Sequence, residues 1–375
     1  MTKRFMIEHL YKKWGINFSP DFIKFDGYES VYSLLDTFTN EQYDRDPDTV
    51  IDEVFKIYRS INLIPITYYT EDGIRETINN LCLATPNPIQ DNILGLGNNQ
   101  GQALCRFMFP NMMTAEPKGR GSNSLKDRFF DDTKLKRAIK ICFQYREGEN
   151  LVRPIAMRRA LELVTGENIQ NFKAFNARSI IEELCPIFGG KVYDYSAGYG
   201  GRMLGAGTSR MHYEYWCAEP NTETVEYLKY LASFLRSEIQ INCLGSESYV
   251  PRPYFDLAFS SPPYFNLEKY CDEPTQCMVK FKTLNQWFNG YVAPTIRNIH
   301  ECLNEDGIFA TNIADYKSPI MGKYNIVNRW IKTAEKLGFT HQKTIKMLLN
   351  TRPGVGNNKK ESSSKFEGIY VFKKS

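Results

Sequence analysis

Lys191 to Arg202 reads Lys-Val-Tyr-Asp-Tyr-Ser-Ala-Gly-Tyr-Gly-Gly-Arg, and this stretch decides the fold class. A short apolar run leads directly into closely spaced glycines. Glycines after a first strand let the backbone turn into a helix and approach a ligand closely. The stretch therefore predicts the opening strand, turn and helix of a parallel sheet. Its candidate ligand-binding residues are Asp194, Ser196, Gly198 and Gly200.

Downstream of this glycine turn, short apolar runs alternate with helical periodicity. The alternation predicts right-handed crossovers and a parallel sheet with helices on both faces. Two further runs, joined by a polar loop at 350–365, predict an antiparallel hairpin at one edge. The expected fold class is α/β, with a doubly wound, mostly parallel seven-stranded sheet and an antiparallel C-terminal hairpin. The predicted strands are 191–195, 213–218, 239–244, 255–260, 307–312, 341–348 and 367–372, and helices are predicted at 222–236 and 287–303.

The ends of the second and third predicted strands indicate a nucleoside ligand. The second strand ends at Glu219-Pro220, where a carboxylate can accept hydrogen bonds from both ribose hydroxyls. The third ends at Gly245-Ser246-Glu247, where an adenine ring could be held. The glycine spacing departs from Gly-x-Gly-x-x-Gly, which counts against a nicotinamide dinucleotide. Glu219, Pro220, Ser246 and Glu247 therefore join the candidate cofactor-binding residues.

The first part of the chain differs from the sheet region. Residues 1–165 are predicted to be mainly helical, with helices at 49–61, 131–145 and 153–164. The glycine- and asparagine-containing stretch at 95–124 predicts an irregular loop. We expect two domains, a helical region over 1–165 and a catalytic domain over 166–375.

Charge is distributed unevenly along the chain, although the net charge is only +4. Residues 1–100 hold 9 Lys and Arg against 15 Asp and Glu, whereas residues 101–180 hold 15 against 8. Residues 341–375 hold 8 against 2. The two basic segments predict a phosphate-binding face, and solvated surface charge is the alternative interpretation.

The nine cysteines form no Cys-x-x-Cys pair, and only four histidines are present. This pattern indicates reduced thiols and a cytoplasmic protein, with no metal site expected. No apolar run reaches about 18 residues, so we expect no contact with a membrane.

The fourth predicted strand runs into Ser261-Pro262-Pro263-Tyr264, which we call the acceptor loop. Two adjacent prolines make a stiff turn without N–H donors, leaving the Ser261 hydroxyl and the Pro262 carbonyl as acceptors. The amine of cytosine or adenine is a poor nucleophile, because its lone pair is conjugated with the ring. Acceptors that bind both amine hydrogens favour a pyramidal nitrogen, which can attack a sulfonium methyl in line. Tyr264 could stack on a base flipped from the duplex.

These motifs resemble the S-adenosylmethionine-dependent DNA amino-methyltransferases that act on cytosine N4 or adenine N6. The resemblance covers about residues 170–375 and rests on 194–200 and on the acceptor loop. It implies a Rossmann-like methyltransferase domain that binds S-adenosyl-L-methionine. It also implies cofactor contacts from Ser261 and from Phe175 and Arg178, in Phe-Asn-Ala-Arg before the first strand, and a position at the pocket for Asn312 to Asp315. Asp194-Tyr195-Ser196 departs from the family's usual Asp-x-Phe.

The resemblance implies double-stranded DNA as the partner and admits a cognate restriction nuclease, in a microbial or phage-infected host cell. Ser261 favours cytosine N4 over adenine N6. Because no recognition domain is inserted near the motifs, the basic segment at about 101–165 is the expected DNA contact, with Lys118, Arg120, Lys126 and Arg128 as its test residues. Methylation of RNA or of a protein amide, and a non-catalytic nucleic-acid-binding module, are the alternatives.

Overall fold

The computed structural model describes residues 12, 31–117, 123–145, 148–165, 168–252, 254–318, 322–349 and 366–375. They form two compact units. The first unit holds the described residues up to Glu76 together with Arg106–Gln170, and the second holds Thr77–Cys105 and Asn171–Ser375. The sequence predicted one boundary, between 165 and 166, whereas the chain passes between these units near residues 76, 105 and 170.

The first unit is helical, as predicted for this part of the chain. Its longest helix, Pro47–Ile61, begins at Asp46, whose carboxylate accepts from the Thr49 amide, and it ends at Asn62 in the left-handed region. The predicted helices at 49–61, 131–145 and 153–164 are confirmed to within a few residues. The helices up to residue 165 are Tyr32–Leu35, Asn40–Arg45, Pro47–Ile61, Glu71–Leu83, Gln102–Met108, Leu125–Phe130, Asp132–Gln144 and Pro154–Thr165, with a 3₁₀ turn at Pro110–Met113.

The second unit is built on a mixed sheet that has nine strands among the described residues. The strands are β1 Ile89–Gln90, β2 Ile93–Leu94, β3 Lys191–Asp194, β4 Glu214–Ala218, β5 Ile239–Asn242, β6 Phe255–Ser260, β7 Leu303–Ile313, β10 Phe339–Leu348 and β11 Phe366–Lys374, while β8 Tyr316–Ser318 and β9 Gly322–Tyr324 form a separate hairpin. Their order across the sheet is β1-β2-β10-β11-β7-β6-β3-β4-β5. Neighbours among β7, β6, β3, β4 and β5 are parallel, and β11 is antiparallel to both β10 and β7.

The parallel centre and the C-terminal hairpin match the expected Rossmann-like sheet, but the prediction of seven strands is wrong. The two additional strands, β1 and β2, flank a two-residue turn at Asp91-Asn92, where both residues have positive φ. β2 then pairs with β10 at the sheet edge. Two-residue strands are too short to show a period of two, so the sequence pattern did not reveal them.

Helices cover the crossovers between the parallel strands. The helix predicted at 222–236 is found at Thr222–Ala232, and the one predicted at 287–303 is a helical run that includes a π turn at Phe288–Val292. The irregular loop predicted at 95–124 is partly wrong, because Gln102–Met108 is helical and buries Leu104 and Phe107. The polar loop predicted at 350–365 lies outside the described residues. The second unit's remaining helices are Ala174–Leu184, Gly201–Gly207, Cys277–Lys280, Leu284–Trp287, Ala293–Cys302 and Ile326–Lys336, with a 3₁₀ turn at Ser246–Ser248.

Candidate active site

The glycine turn and the acceptor loop lie side by side, although about 60 residues separate them in the sequence. β3 pairs in parallel with β6, with Val192 opposite Leu257 and Tyr193 opposite Ala258. Parallel neighbours end at the same edge of a sheet, so both loops emerge there. The strand order changes direction at this pair, which is where open α/β sheets bind their ligands.

Asp194 joins these two loops through a fully buried carboxylate. Its Oδ1 accepts from the Ser260 hydroxyl at 2.6 Å and from the Ser196 amide at 3.2 Å. Its Oδ2 accepts from Arg202 Nε at 2.8 Å and from the Tyr215 hydroxyl at 2.5 Å. Four donors saturate the carboxylate, and the Arg202 guanidinium balances its charge. Asp194 therefore positions the glycine turn and the end of β6, and its carboxylate has no remaining acceptor capacity for a ligand.

The glycine turn contains two residues that require glycine for conformational reasons. Gly198 and Gly200 have φ of +54° and +69°, which an L side chain adopts only with strain. Gly201 is required for space instead, because a Cβ there would lie 1.9 Å from the Phe172 carbonyl oxygen. The helix Gly201–Gly207 therefore begins close to the backbone of Phe172. Gly198 and Gly200 have no side chains that would keep a ligand away from the backbone of the turn.

Glu219 faces the glycine turn from the end of β4. Its Oε2 accepts from the Gly198 amide at 2.9 Å, and its Oε1 accepts from the Asn221 amide at 3.0 Å. Burial raises the pKa of Glu219 to about 7, while the two amide bonds oppose that shift. The structure therefore places a buried carboxylate beside the glycines, as the sequence predicted, and its ionisation falls near neutral pH.

The third strand end is held by a helix and by an ion pair. The Ser246 hydroxyl lies 3.0 Å from Thr295 Oγ1, and the Ser246 carbonyl accepts from Asn298 Nδ2 at 2.8 Å. Glu247 forms an ion pair with Lys280. Ser246 and Glu247 therefore reach the predicted edge of the sheet, but their side chains are already bonded to protein groups.

The acceptor loop continues β6 at that edge. Ser261 and Tyr264 are half-buried, whereas Pro262 is buried. The Tyr264 hydroxyl accepts from the Ala314 amide at 3.0 Å, and its ring meets Tyr316 edge-on at 5.5 Å between centroids. Burial raises the pKa of Tyr264 well above its usual value, so the phenol stays neutral. The loop is thus tied to the segment after β7, where 312–315 was expected to meet the pocket.

Phe175 and Arg178 lie on the helix that precedes β3. Both are buried in the helix Ala174–Leu184. The Arg178 guanidinium donates to the carbonyls of Leu81 and Ala84, at 2.7 and 3.1 Å, and to Glu182 at 2.8 Å. Arg178 thereby caps the end of the helix Glu71–Leu83. These contacts give a structural role, and cofactor binding by Phe175 and Arg178 stays a prediction.

Several residues near the two loops were not predicted from the sequence. Ser260 and Tyr215 bond to Asp194, and the Tyr291 hydroxyl lies 2.8 Å from Ser196 Oγ. Beyond the acceptor loop, the Tyr270 hydroxyl donates to Glu268 at 2.6 Å, and burial raises the pKa of Glu268 to about 7. None of these residues belongs to a spaced motif, so only the folded structure reveals their contacts.

In the first unit, the basic segment contains a buried arginine. Arg128 is 1% exposed, and its guanidinium donates to the carbonyls of Ser124 and Leu161 and to Thr165 Oγ1, at 3.0–3.1 Å. It therefore caps the end of the helix Pro154–Thr165, and its buried guanidinium is not presented to solvent for the DNA contact that the sequence led us to expect. Lys118 and Arg120 lie outside the described residues.

Other Lys and Arg side chains of this segment form ion pairs with nearby carboxylates. Lys134 bonds to Asp131 at 2.9 Å, and Lys136 bonds to Asp52 at 2.7 Å. Arg158 pairs with Glu162. On the helix Asp132–Gln144, Arg137 and Lys140 are exposed. These two residues are better candidates for phosphate contacts than Arg128.

None of the nine cysteines, all of which the structure describes, forms a disulfide bond. Among the helices of the described residues, none is long and apolar enough to cross a bilayer.

No family model matches the chain, and the curated proteins contain no match. Similar folds occur among solved structures. A TehB-like S-adenosylmethionine-dependent methyltransferase from Corynebacterium glutamicum is 16% identical, with 58% of this chain and 95% of that chain covered and a TM-score of 0.36. A 1,6-didemethyltoxoflavin-N1-methyltransferase from Burkholderia thailandensis, solved with S-adenosylhomocysteine, is 12% identical, with 54% and 78% covered and a TM-score of 0.36.

An S-adenosylmethionine-dependent O-methyltransferase from Thermotoga maritima is 15% identical, with 57% of this chain and 70% of that chain covered and a TM-score of 0.36.

Proposed function

We propose that the protein is an S-adenosylmethionine-dependent methyltransferase that acts on the exocyclic amine of a flipped DNA base, with cytosine N4 favoured over adenine N6. One observation carries this proposal. The acceptor loop leaves β6 directly beside the glycine turn, and the 2.6 Å bond between Ser260 and Asp194 holds the two together. A methyl donor over the turn and an amine on the loop would then be neighbours.

The residues around the turn suit a nucleoside sulfonium cofactor. Gly198 and Gly200 leave the backbone open to close approach, and the buried Glu219 can accept from both ribose hydroxyls when it is ionised. Asp194 supports the turn from below and would not contact the cofactor. When bound, S-adenosylmethionine supplies an electrophilic methyl group on sulfur.

The acceptor loop accounts for activation of the amine. The Ser261 hydroxyl and the Pro262 carbonyl accept the two amine hydrogens, which favours a pyramidal nitrogen with an available lone pair. S-adenosylmethionine would supply its sulfonium methyl group to this nitrogen, and the extra proton of the amine would leave toward Ser261 and solvent. Tyr264 has a neutral phenol held by Ala314, so its ring is fixed in orientation for stacking on the base.

DNA is proposed as the carrier of the amine because of the positive charge of residues 101–180 and the exposed Arg137 and Lys140. Ser261 in place of Asp or Asn supports cytosine, as in the family that the acceptor loop resembles. A base inside a duplex cannot reach such a loop, so flipping is part of the proposal. A partner nuclease is admitted by the same resemblance.

The test supplies a methyl-labelled cofactor together with duplex DNA, single-stranded DNA, RNA and protein. The products are digested to nucleosides or amino acids and identified by mass. We expect label in N4-methylcytosine from duplex DNA. Label in N6-methyladenine would correct the base, and label only in RNA or in a protein amide would replace the substrate class. If the protein bound the cofactor but transferred label to none of these substrates, the result would favour a non-catalytic nucleic-acid-binding module.

A further inference from the structure

The segment that follows the acceptor loop crosses the ends of β4 and β5. We call residues 271–280 the strap. At its start, Asn221 Nδ2 donates to Cys271 Sγ at 3.3 Å, and the Thr222 hydroxyl donates to Glu273 at 2.5 Å. The Thr275 hydroxyl donates to the Pro220 carbonyl at 3.1 Å. These bonds fasten the first half of the strap to the end of β4, immediately after Glu219.

The second half of the strap is fastened to the end of β5. Lys280 forms an ion pair with Glu247, whose side chain is only 6% exposed. The residues between Thr275 and Lys280 therefore bridge from the proposed ribose carboxylate to the third strand end. The base of a nucleoside would lie near these residues if its ribose were bound by Glu219.

Gln276 occupies the middle of this bridge and is 6% exposed. Its backbone is satisfied, because its amide donates to the Glu273 carbonyl at 3.0 Å and its carbonyl accepts from Lys280 at 2.9 Å. Its side-chain Nε2 is buried and has no hydrogen-bond partner among the described residues. A buried amide donor without a partner is destabilising and therefore rare in folded proteins, and a ligand acceptor would complete it.

We propose that the strap covers the nucleoside half of the cofactor and that the Gln276 carboxamide binds the edge of its adenine ring. This inference rests on the proposed function, which supplies the adenosyl ligand. A carboxamide carries a donor beside an acceptor, and the amino edge of adenine presents the complementary pair. Glu219 would hold the ribose while Gln276 selects the base.

Binding of S-adenosylhomocysteine tests this without any methyl transfer. Isothermal titration compares the full chain with Gln276→Ala and with Gln240→Ala, a matched change at an exposed position of β5. We expect Gln276→Ala to weaken binding about tenfold, as expected for one lost hydrogen-bond pair, and Gln240→Ala to leave it unchanged.

Gln276→Met gives a second measurement that does not depend on the ligand. Removing a buried unpartnered amide should raise the thermal midpoint of the free protein while weakening S-adenosylhomocysteine binding. Unchanged affinity in both folded Gln276 variants would overturn the assignment. Failure of the parent protein to bind S-adenosylmethionine or S-adenosylhomocysteine would instead overturn the proposed function, so the two failures are distinguishable.

Discussion

Two buried arginines show how differently the two units use charge. Arg202, in the second unit, bonds to the Asp194 carboxylate at 2.8 Å and thereby holds the turn beside the acceptor loop. Arg128, in the first unit, caps a helix end through the carbonyl of Leu161 and the hydroxyl of Thr165. The sheet fixes where a motif at the end of a strand lies, so the position of the glycine turn could be predicted. The number of Lys and Arg residues in a segment does not show which of them are exposed, so the burial of Arg128 could not be predicted.

The largest expected effect tests the acceptor loop. Ser261→Ala removes one of the two acceptors for the amine, and we expect kcat to fall about 100- to 1000-fold with little change in cofactor affinity. Steady-state methyl transfer and titration of S-adenosylhomocysteine measure the two quantities. Ser233→Ala, at an exposed helix end, is the matched control. A Ser261→Ala enzyme of normal rate would remove the loop from the reaction.

The next effect concerns Arg128. Arg128→Ala leaves buried carbonyls without a donor, and we expect the free energy of unfolding to fall by about 2–4 kcal/mol. Denaturant unfolding of Arg128→Ala is compared with that of Arg137→Ala, for which a change within about 0.5 kcal/mol is expected. If both variants were equally stable, the capping role of Arg128 would be wrong.

A third measurement asks whether the first unit contacts DNA at all. Replacing Arg137 and Lys140 by alanine should weaken duplex binding about tenfold, and should lower the salt slope by about one for each lost phosphate contact. Binding is measured by fluorescence anisotropy at several salt concentrations. The control replaces Lys332 and Lys336, on the helix Ile326–Lys336 of the second unit. Identical slopes in the parent and the Arg137/Lys140 variant would leave the basic segment as solvated surface charge.

The smallest effect is a pH dependence at Glu219. With a pKa of about 7, the ionised acceptor becomes less abundant as the pH falls, so cofactor affinity should drop about threefold between pH 7.5 and 6.5. The raised pKa also means that the folded protein holds this proton longer than the unfolded chain does. Stability of the free protein should therefore fall as pH rises from about 4.5 to 7.

Glu219→Gln is expected to bind the cofactor more weakly and without that pH dependence. Titration at three pH values measures both quantities. Glu268 has a similarly raised pKa and contributes in the same direction, so Glu268→Gln is measured alongside to separate its share of the stability profile from that of Glu219. A threefold change that persists in Glu219→Gln would assign the titration to another group.

The parallel sheet was predictable because its signals are local. Lys191–Asp194 and Phe255–Ser260 are apolar runs followed by glycine or proline, and each is a strand in the structure. The position of Glu219 beside the glycine turn was predictable for the same reason, since parallel neighbours end at one edge. The short hairpin at Asp91-Asn92 could not be predicted, because strands of two residues are too short to show alternating apolar and polar positions.

The sequence by itself determined the order of strand, turn and acceptor loop, since apolar runs, glycines and prolines restrict the backbone wherever they occur. Only the tertiary structure decided which side chains those elements share. It placed Ser260 and Tyr215 on Asp194, it buried Arg128 and Arg178 as helix caps, and it laid Gln276 between two strand ends. These outcomes depend on register and on packing between distant segments, which no local pattern of residues specifies.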